Sequence, residues 1–228
     1  MCGLSGMLGA PEPSIVRKMI QLQNHRGPDG SGIWQDESIC LGHARLAIVD
    51  LERSPQPLQS QEGNVLIANG EIYNFEFLRS SMDDYAWRTF GDSETILALY
   101  EKSIRSGQKA SAKDHADWIK QLDGMFAFAL WDAHNNQLVL ARDEMGIKPL
   151  VRSLIGSSLV FSSEVKGLRA HPGFEPQLDE QALMARLVWE YPLDATTLFL
   201  DVHQVRPGCV EVWSLEEGLP TLTDSSRL

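Results

Sequence analysis

The chain has 228 residues, 43% of them hydrophobic, enough to build a sizeable core in one large domain or two small ones. Its 31 acidic residues outnumber the 20 basic ones for a formal charge of -11, and no Lys/Arg run exists, which disfavours nucleic acid and anionic membrane surfaces as partners. The longest apolar stretch, Met125 to Trp131, is far short of a membrane span, and no basic region followed by an apolar one opens the chain, so the cytoplasm is the default compartment.

Cys2, Cys40 and Cys209 lie at wide spacings that suit neither a disulfide framework nor a Cys-x-x-Cys site, and the six histidines show no ligand spacing. A reducing compartment and no metal are expected. Cys2 stands apart. Removal of Met1, which the small side chain at position 2 permits, leaves a thiol and a free α-amine on one residue. The amine titrates near ~7.7–8.0 and the thiol near ~8.5, so proton exchange between them, direct or through one water, needs no large shift. On these residues alone a disordered chain end with an incidental cysteine is the plainer reading.

In chain order, Gly3 to Gly9 with Leu4, Met7 and Leu8 reads as a Gly-interrupted strand that allows close backbone approach. A helix runs from Pro13-Ser14, with Ser14 as N-cap, to about Asn24, its apolar face made of Ile15, Val16, Met19 and Ile20. Arg26 to Gly32 is too rich in Gly and Pro for anything but an ordered loop or turn. Strands follow at 39–41 and 44–51, with His43 and Arg45 two apart on one face. Each is an ordinary structural residue when taken alone. Val65 to Ala68 is a buried strand running into Asn69-Gly70, which reads as a tight turn. Phe75 to Met82 is a short helix, 86–90 a strand, and Asp92 or Ser93 is placed to cap a helix from Glu94 to about residue 106.

Asp114 to Gln121 is the next helix. The clearest hairpin joins Met125–Asp132 to Leu138–Ala141, and its strands are apolar on both faces, which requires a layer on each side. A second hairpin turns at Gly156-Ser157, a short helix passes through Glu164 to Arg169, Asp179 caps a helix to about Leu187, and Val210 to Leu215 is the last strand. Residues 216–228 are polar and pattern-free, a tail or linker after a domain spanning 1–215. The sum is an α/β chain of stacked antiparallel sheets flanked by helices.

Five separated motifs then fall into place: Met-Cys-Gly at 1–3, Arg-Gly-Pro-Asp at 26–29, His-Ala-Arg-Leu-Ala-Ile-Val-Asp-Leu at 43–51, Asn-Gly-Glu-Ile-Tyr-Asn at 69–74 and Gly-Asp-Ser-Glu at 91–94. With Asp-Gly-Met-Phe-Ala-Phe-Ala-Leu-Trp-Asp at 123–132, Ala-Arg-Asp at 141–143, Gly-Ile-Lys-Pro-Leu at 146–150 and Phe-Ser-Ser-Glu at 161–164, the chain resembles the glutaminase domain of class II glutamine amidotransferases, in the asparagine synthetase branch. Each motif is weak alone; their order and spacing cover nearly the whole chain.

The resemblance implies a four-layer αββα N-terminal-nucleophile hydrolase sandwich of two antiparallel sheets. It implies that Cys2 attacks the side-chain amide of glutamine with its own α-amine as base, and that the Asn69 amide and the Gly70 N–H, at a strained corner, hold the oxyanion. Arg45 matches the position for the substrate carboxylate. Asp92 and the Glu71 segment match positions for the ammonium, with backbone groups of Leu46, Ile48 and Val49 lining the pocket. Arg26 and Asp29 are expected to order the loop over Cys2. His43 is expected in a structural or pocket-wall role, Cys40 and Cys209 as buried bystanders, and Arg142, Asp143, Lys148 and Glu164 as an internal charge network or an interface patch.

The resemblance implies no cofactor in this chain, with ATP and Mg on an absent synthetase domain. The partners it implies are glutamine and that synthetase domain or subunit, and a homodimer stays open. Two departures stand out. Val151-Arg152 replaces the aromatic pair that relatives carry after Lys-Pro-Leu, and the chain stops where a synthetase domain would begin, with no Gly-rich phosphate loop. Two other classes fit part of the pattern. A non-catalytic glutamine-binding or scaffolding domain would keep Arg45 and Asp92 without processing Met1. An N-terminal-nucleophile hydrolase for another amide would keep Cys2 with a different pocket, against which the set Arg45, Asn69, Gly70 and Asp92 argues.

Overall fold

The computed structural model describes residues 1–47, 50, 54–105 and 107–228. Strand β1 is Gly3–Leu8, fully buried, and a Cβ at Gly6 would run into the Phe161 ring of a neighbouring strand. Helix α1, Pro13–Leu22, buries Ile15, Val16, Met19 and Ile20. Its cap residue is Glu12, and Ser14 lies inside the first turn, because the fixed φ of Pro13 suits the first helical position. Strands β2 (Gly30–Gln35) and β3 (Ile39–Arg45) pair antiparallel, so the end of the Gly-rich segment belongs to β2 and β3 is one unbroken strand through His43 and Arg45. Ile48, Val49 and Leu51 of the expected second strand lie outside the described residues.

Strand β4 (Leu58–Gln59) pairs with the start of β5 (Val65–Ile72), and β5 pairs with β6 (Gly124–Asp132) without a break from Val65↔Trp131 to Ile72↔Gly124. Asn69-Gly70 is therefore neither turn nor corner. Gly70 serves close approach instead, since a Cβ there would strike the Met125 carbonyl and Phe126. After helix α2 (Phe75–Ser80), residues 86–90 form no strand; the N–H groups of Arg88 and Thr89 go to the Glu94 carboxylate at 2.9 and 2.7 Å. Helices α3 (Glu94–Ser103) and α4 (Ala112–Ile119) follow, and α4 starts before Asp114 because Ser111 and Asp114 form a capping box.

Strand β7 (Gln137–Arg142) completes the first predicted hairpin, and β8 (Val151–Ile155) with β9 (Ser158–Ser162) the second. Helix α5 is Val165–Leu168, and α6 (Glu180–Trp189) is capped by the Asp179 side chain. After β10 (His203–Gln204), β11 (Cys209–Glu216) pairs along its length with β12 (Leu219–Arg227). Most of the segment read as a tail is thus a strand. It is mostly exposed and lacks an apolar face, so backbone pairing holds it and no periodicity betrays it.

Among the described residues the strands form two six-stranded sheets, ordered β10-β8-β9-β1-β3-β2 and β12-β11-β7-β6-β5-β4. Leu4, Leu8, Ile39, Leu41 and Phe161 of the first meet Val65, Ile67, Ala129, Trp131 and Leu140 of the second in one buried core. Helix α1 covers the outer face of the first sheet, and α3 with α4 that of the second. Arg152 also faces inward. It makes two bonds to Glu211, at 2.6 and 3.0 Å, and lies 4.9 Å from the Trp213 ring, so at the position where the sequence departs from the family pattern an ion pair ties the sheets.

Two outcomes follow from this packing. Gly6→Ala drives a methyl into the Phe161 ring and should lower the urea-unfolding free energy by about 1–3 kcal/mol. Burial lowers both His43 and His115 to about 4. The unfolded chain takes up these protons near ~6.5, so stability falls as pH drops from there toward 4. In His115→Gln the difference in unfolding free energy between pH 7 and pH 5 should shrink.

Candidate active site

Strand alternation assembles the site. In β1 the even positions face the opposite sheet, and Cys2 continues that series; in β3 the odd positions do so and bring His43 and Arg45; in β5 they bring Asn69 and Glu71. One cleft is lined by Cys2, Arg45, Leu46, Asn69, Gly70, Glu71 and Asp92, together with Met1, Ser54, Gln56, Ser93, Met125 and Lys148. Its volume is about 80 Å³, and Met1 occupies part of its wall.

The Cys2 thiol is half-buried between backbone groups of Leu46, with the Leu46 N–H donating to Sγ at 3.4 Å and the thiol donating to the Leu46 carbonyl at 3.6 Å. Burial pushes the thiol pKa up, opposed by the Leu46 hydrogen bond and by the charges of the N-terminus, Arg45 and Arg26. Arg26 reaches Cys2 directly: Nε donates to the Cys2 carbonyl at 2.9 Å while a terminal nitrogen bonds Glu164 at 2.9 Å. Burial would raise the Glu164 carboxyl, but hydrogen bonds from Arg26, His25 and Lys166 overcome it and hold it at about 2. Glu164 therefore anchors, through Arg26, the backbone at Cys2 and is not part of a network with Arg142 and Asp143. Those two fix the 143–148 turn, Arg142 through the carbonyls of Gly146 and Lys148, Asp143 through the N–H groups of Ile147 and Lys148. Asp29 braces the other wall, accepting from Ala47 N–H at 2.8 Å and donating its own N–H to the Arg45 carbonyl at 3.0 Å.

Across the cleft, Asn69 is 1% exposed and its Nδ2 has no hydrogen-bond partner among the described residues. A buried amide donor without an acceptor costs roughly 1–3 kcal/mol, so its retention calls for an acceptor that arrives from outside. Gly70 N–H, at an even position of β5, points away from β6, whose bonds go to the odd positions, as from Tyr73 N–H to the Asp123 carbonyl at 2.7 Å. Asp92 is buried and does not cap α3 with its side chain; it accepts from Ile72 N–H at 2.8 Å. Burial raises its pKa, against that bond and its own and Ser93 N–H groups, and nearby Glu71 raises it further. Arg45 donates to the Asp50 carbonyl at 2.6 Å. His43 is fully buried and donates from Nε2 to the Ala68 carbonyl at 3.0 Å, which leaves it out of the cleft lining.

All expected site residues that are described, apart from the two loop braces Arg26 and Asp29, line this one cleft; Ile48 and Val49 lie outside the described residues. Sequence reading missed Gln56, Ser54, Met125 and the cleft position of Lys148. Gln56 sits in a polar loop with no periodicity, and its contact at Ala68 spans twelve residues of chain.

The Glutamine amidotransferase domain family matches residues 1–221. Asparagine synthetase [glutamine-hydrolyzing] 1 of Bacillus subtilis is 34% identical over 218 residues, 91% of this chain and 33% of that protein. The asparagine synthetase [glutamine-hydrolyzing] of Asparagus officinalis is 40% identical over 175 residues, 74% of this chain and 28% of that protein. The chain thus spans about a third of the length of these relatives. The glutamine phosphoribosylpyrophosphate amidotransferase of B. subtilis, solved with ADP and GMP, shares the fold with TM-score 0.70 at 20% identity, covering 99% of this chain and 49% of that one. Two antiparallel sheets between helices, a cysteine at position 2 and a family match over nearly its whole length make this chain a member of the glutamine amidotransferase domain family.

Proposed function

We propose that this chain hydrolyses the side-chain amide of glutamine through a Cys2 thioester and passes the ammonia to an ATP-dependent synthetase domain or subunit, as in glutamine-hydrolysing asparagine synthetases, in the cytoplasm. The observation that carries the reading is the buried, unpartnered Asn69 amide in the same cleft as the Cys2 thiol. With Met1 removed, the α-amine takes the thiol proton as sulfur adds to the amide carbon. The carbonyl oxygen becomes an oxyanion, which accepts from Asn69 Nδ2 and Gly70 N–H without reorganisation of either donor. The ammonium returns its proton to the departing nitrogen, the C–N bond breaks and ammonia leaves. Water then adds to the thioester, and its collapse frees glutamate and restores the thiol.

The Arg45 guanidinium suits the glutamine α-carboxylate, and the carboxylates of Asp92 and Glu71 suit the α-ammonium. Holding both ends of the substrate turns attack into an intramolecular step. Arg26, bonded to the Cys2 carbonyl, keeps the nucleophile aimed. Nothing in this sequence of steps requires a cofactor in this chain; ATP and Mg belong to the synthetase.

Intact mass of the expressed protein should show loss of Met1, and Cys2→Ala should abolish ammonia release from glutamine. Retained Met1, or equal rates for wild type and Cys2→Ala, would leave a glutamine-binding domain without chemistry. Asn69→Ala should lower kcat by ~10²–10³ with a nearly unchanged KM. Arg26→Gln should lower kcat about tenfold by loosening the nucleophile, again with little effect on KM.

A further inference from the structure

Tyr73 N–H, continuing the β5–β6 register, donates to the Asp123 carbonyl at 2.7 Å, so the odd positions of β5 bond to β6 and the N–H and C=O groups of its even residues point the other way, toward β4. Strand β4 ends too soon, pairing only as far as Leu66. Ala68, Gly70 and Ile72 lie beyond it. At Ala68 the side chain of Gln56 stands in for the missing strand: Oε1 accepts the Ala68 N–H at 2.6 Å and Nε2 donates to the Ala68 carbonyl at 3.2 Å. His43 Nε2 donates to the same carbonyl at 3.0 Å. At Ile72 the Asp92 carboxylate accepts the N–H at 2.8 Å. Between these two clamps the Gly70 N–H is left for a ligand, and Gln56 also lines the cleft.

We infer that Gln56 is a positioning residue for the oxyanion donors: its carboxamide replaces one residue of β4, closes the Ala68 backbone on both its donor and its acceptor, and so fixes the two peptide planes flanking Ala68 and with them the Asn69 Cα, from which both the Asn69 side chain and the next peptide, carrying Gly70 N–H, start. Without it, the Ala68 backbone is left at an open strand edge, where an extra rotation or bulge is easily accommodated and would carry through Asn69 to turn the Gly70 N–H away. His43 holds the carbonyl alone and cannot replace the bond to Ala68 N–H. Its fully buried ring, neutral at physiological pH, keeps the Nε2–H tautomer that this carbonyl requires. This role rests on the amide hydrolysis proposed above.

The test compares wild type, Gln56→Ala and Gln56→Glu, all with Met1 removed. Gln56→Ala should lower kcat at least tenfold with KM within threefold. It should weaken the γ-semialdehyde of glutamate, which adds the thiol to give a tetrahedral oxygen, by the same factor as kcat, while glutamate binds as before. Gln56→Glu keeps the acceptor for Ala68 N–H and should recover part of the loss; it also serves if the alanine variant fails to fold. Amide hydrogen exchange at Ala68 should speed at least tenfold in Gln56→Ala, with Leu66 unchanged. An unchanged kcat, equal weakening of glutamate and semialdehyde, or unchanged Ala68 exchange would overturn the role. Absence of Cys2-dependent turnover in wild type would instead sink the hydrolase reading, and the Ala68 exchange would still decide whether Gln56 clamps the strand.

Discussion

A strand must satisfy the hydrogen-bonding groups on both of its edges, and β5 outruns its neighbour on one side. That mismatch creates the site. Two residues of β4 meet eight of β5, so three even positions lose their partner strand. Side chains from elsewhere, Gln56 and Asp92, close the first and the last. The middle one, Gly70, stays open toward a cleft that also holds the thiol, and Asn69 beside it, whose Nδ2 has no partner among the described residues, lines the same cleft from the face between the sheets. An unsatisfied backbone edge is costly in a core, and here it coincides with the place where a developing negative charge would need donors.

The opposite wall is set by the other sheet. Because β1 and β3 pair in register from Gly3↔Ala44 to Leu8↔Ile39, the residue before β1 and the end of β3 lie side by side, which brings Cys2 next to Leu46 and Arg45. A chain end would ordinarily fray. Arg26, buried and anchored by Glu164, holds the Cys2 carbonyl and prevents this, while Asp29 fixes the backbone at 45–47. The same economy appears at the far side of the sandwich, where Arg152 and Glu211 tie the two sheets beside Trp213. Replacing one member of such a buried pair would strand the other, at a cost of about 3–5 kcal/mol.

Much of this was legible in the sequence. Doubly apolar hairpins at 125–141 required a layer on each side of a sheet, and the layers are there. The spacing of His43 and Arg45 on one face survived intact. What failed depended on contacts distant in the chain. Asn69-Gly70 reads as a turn locally, yet the pairing of β5 with β6 overrides it, and Gly70 answers to the Met125 carbonyl. Strand β12 has no apolar face to announce it. Residues 86–90 look extended, but the Glu94 carboxylate takes their N–H groups. Gln56 was invisible because its function is defined by a strand that is too short, a property of the sheet and not of the segment around it.

In the proposed reaction Asn69 and Gly70 receive the oxygen of the carbonyl that Cys2 attacks. A crystal structure of the Met1-processed protein with the semialdehyde of glutamate bound tests it most directly. The expected adduct has a covalent bond from Cys2 Sγ to the aldehyde carbon, with its oxygen about 2.7–3.1 Å from both Asn69 Nδ2 and Gly70 N. An adduct whose oxygen turns to solvent or to Lys148 would contradict it.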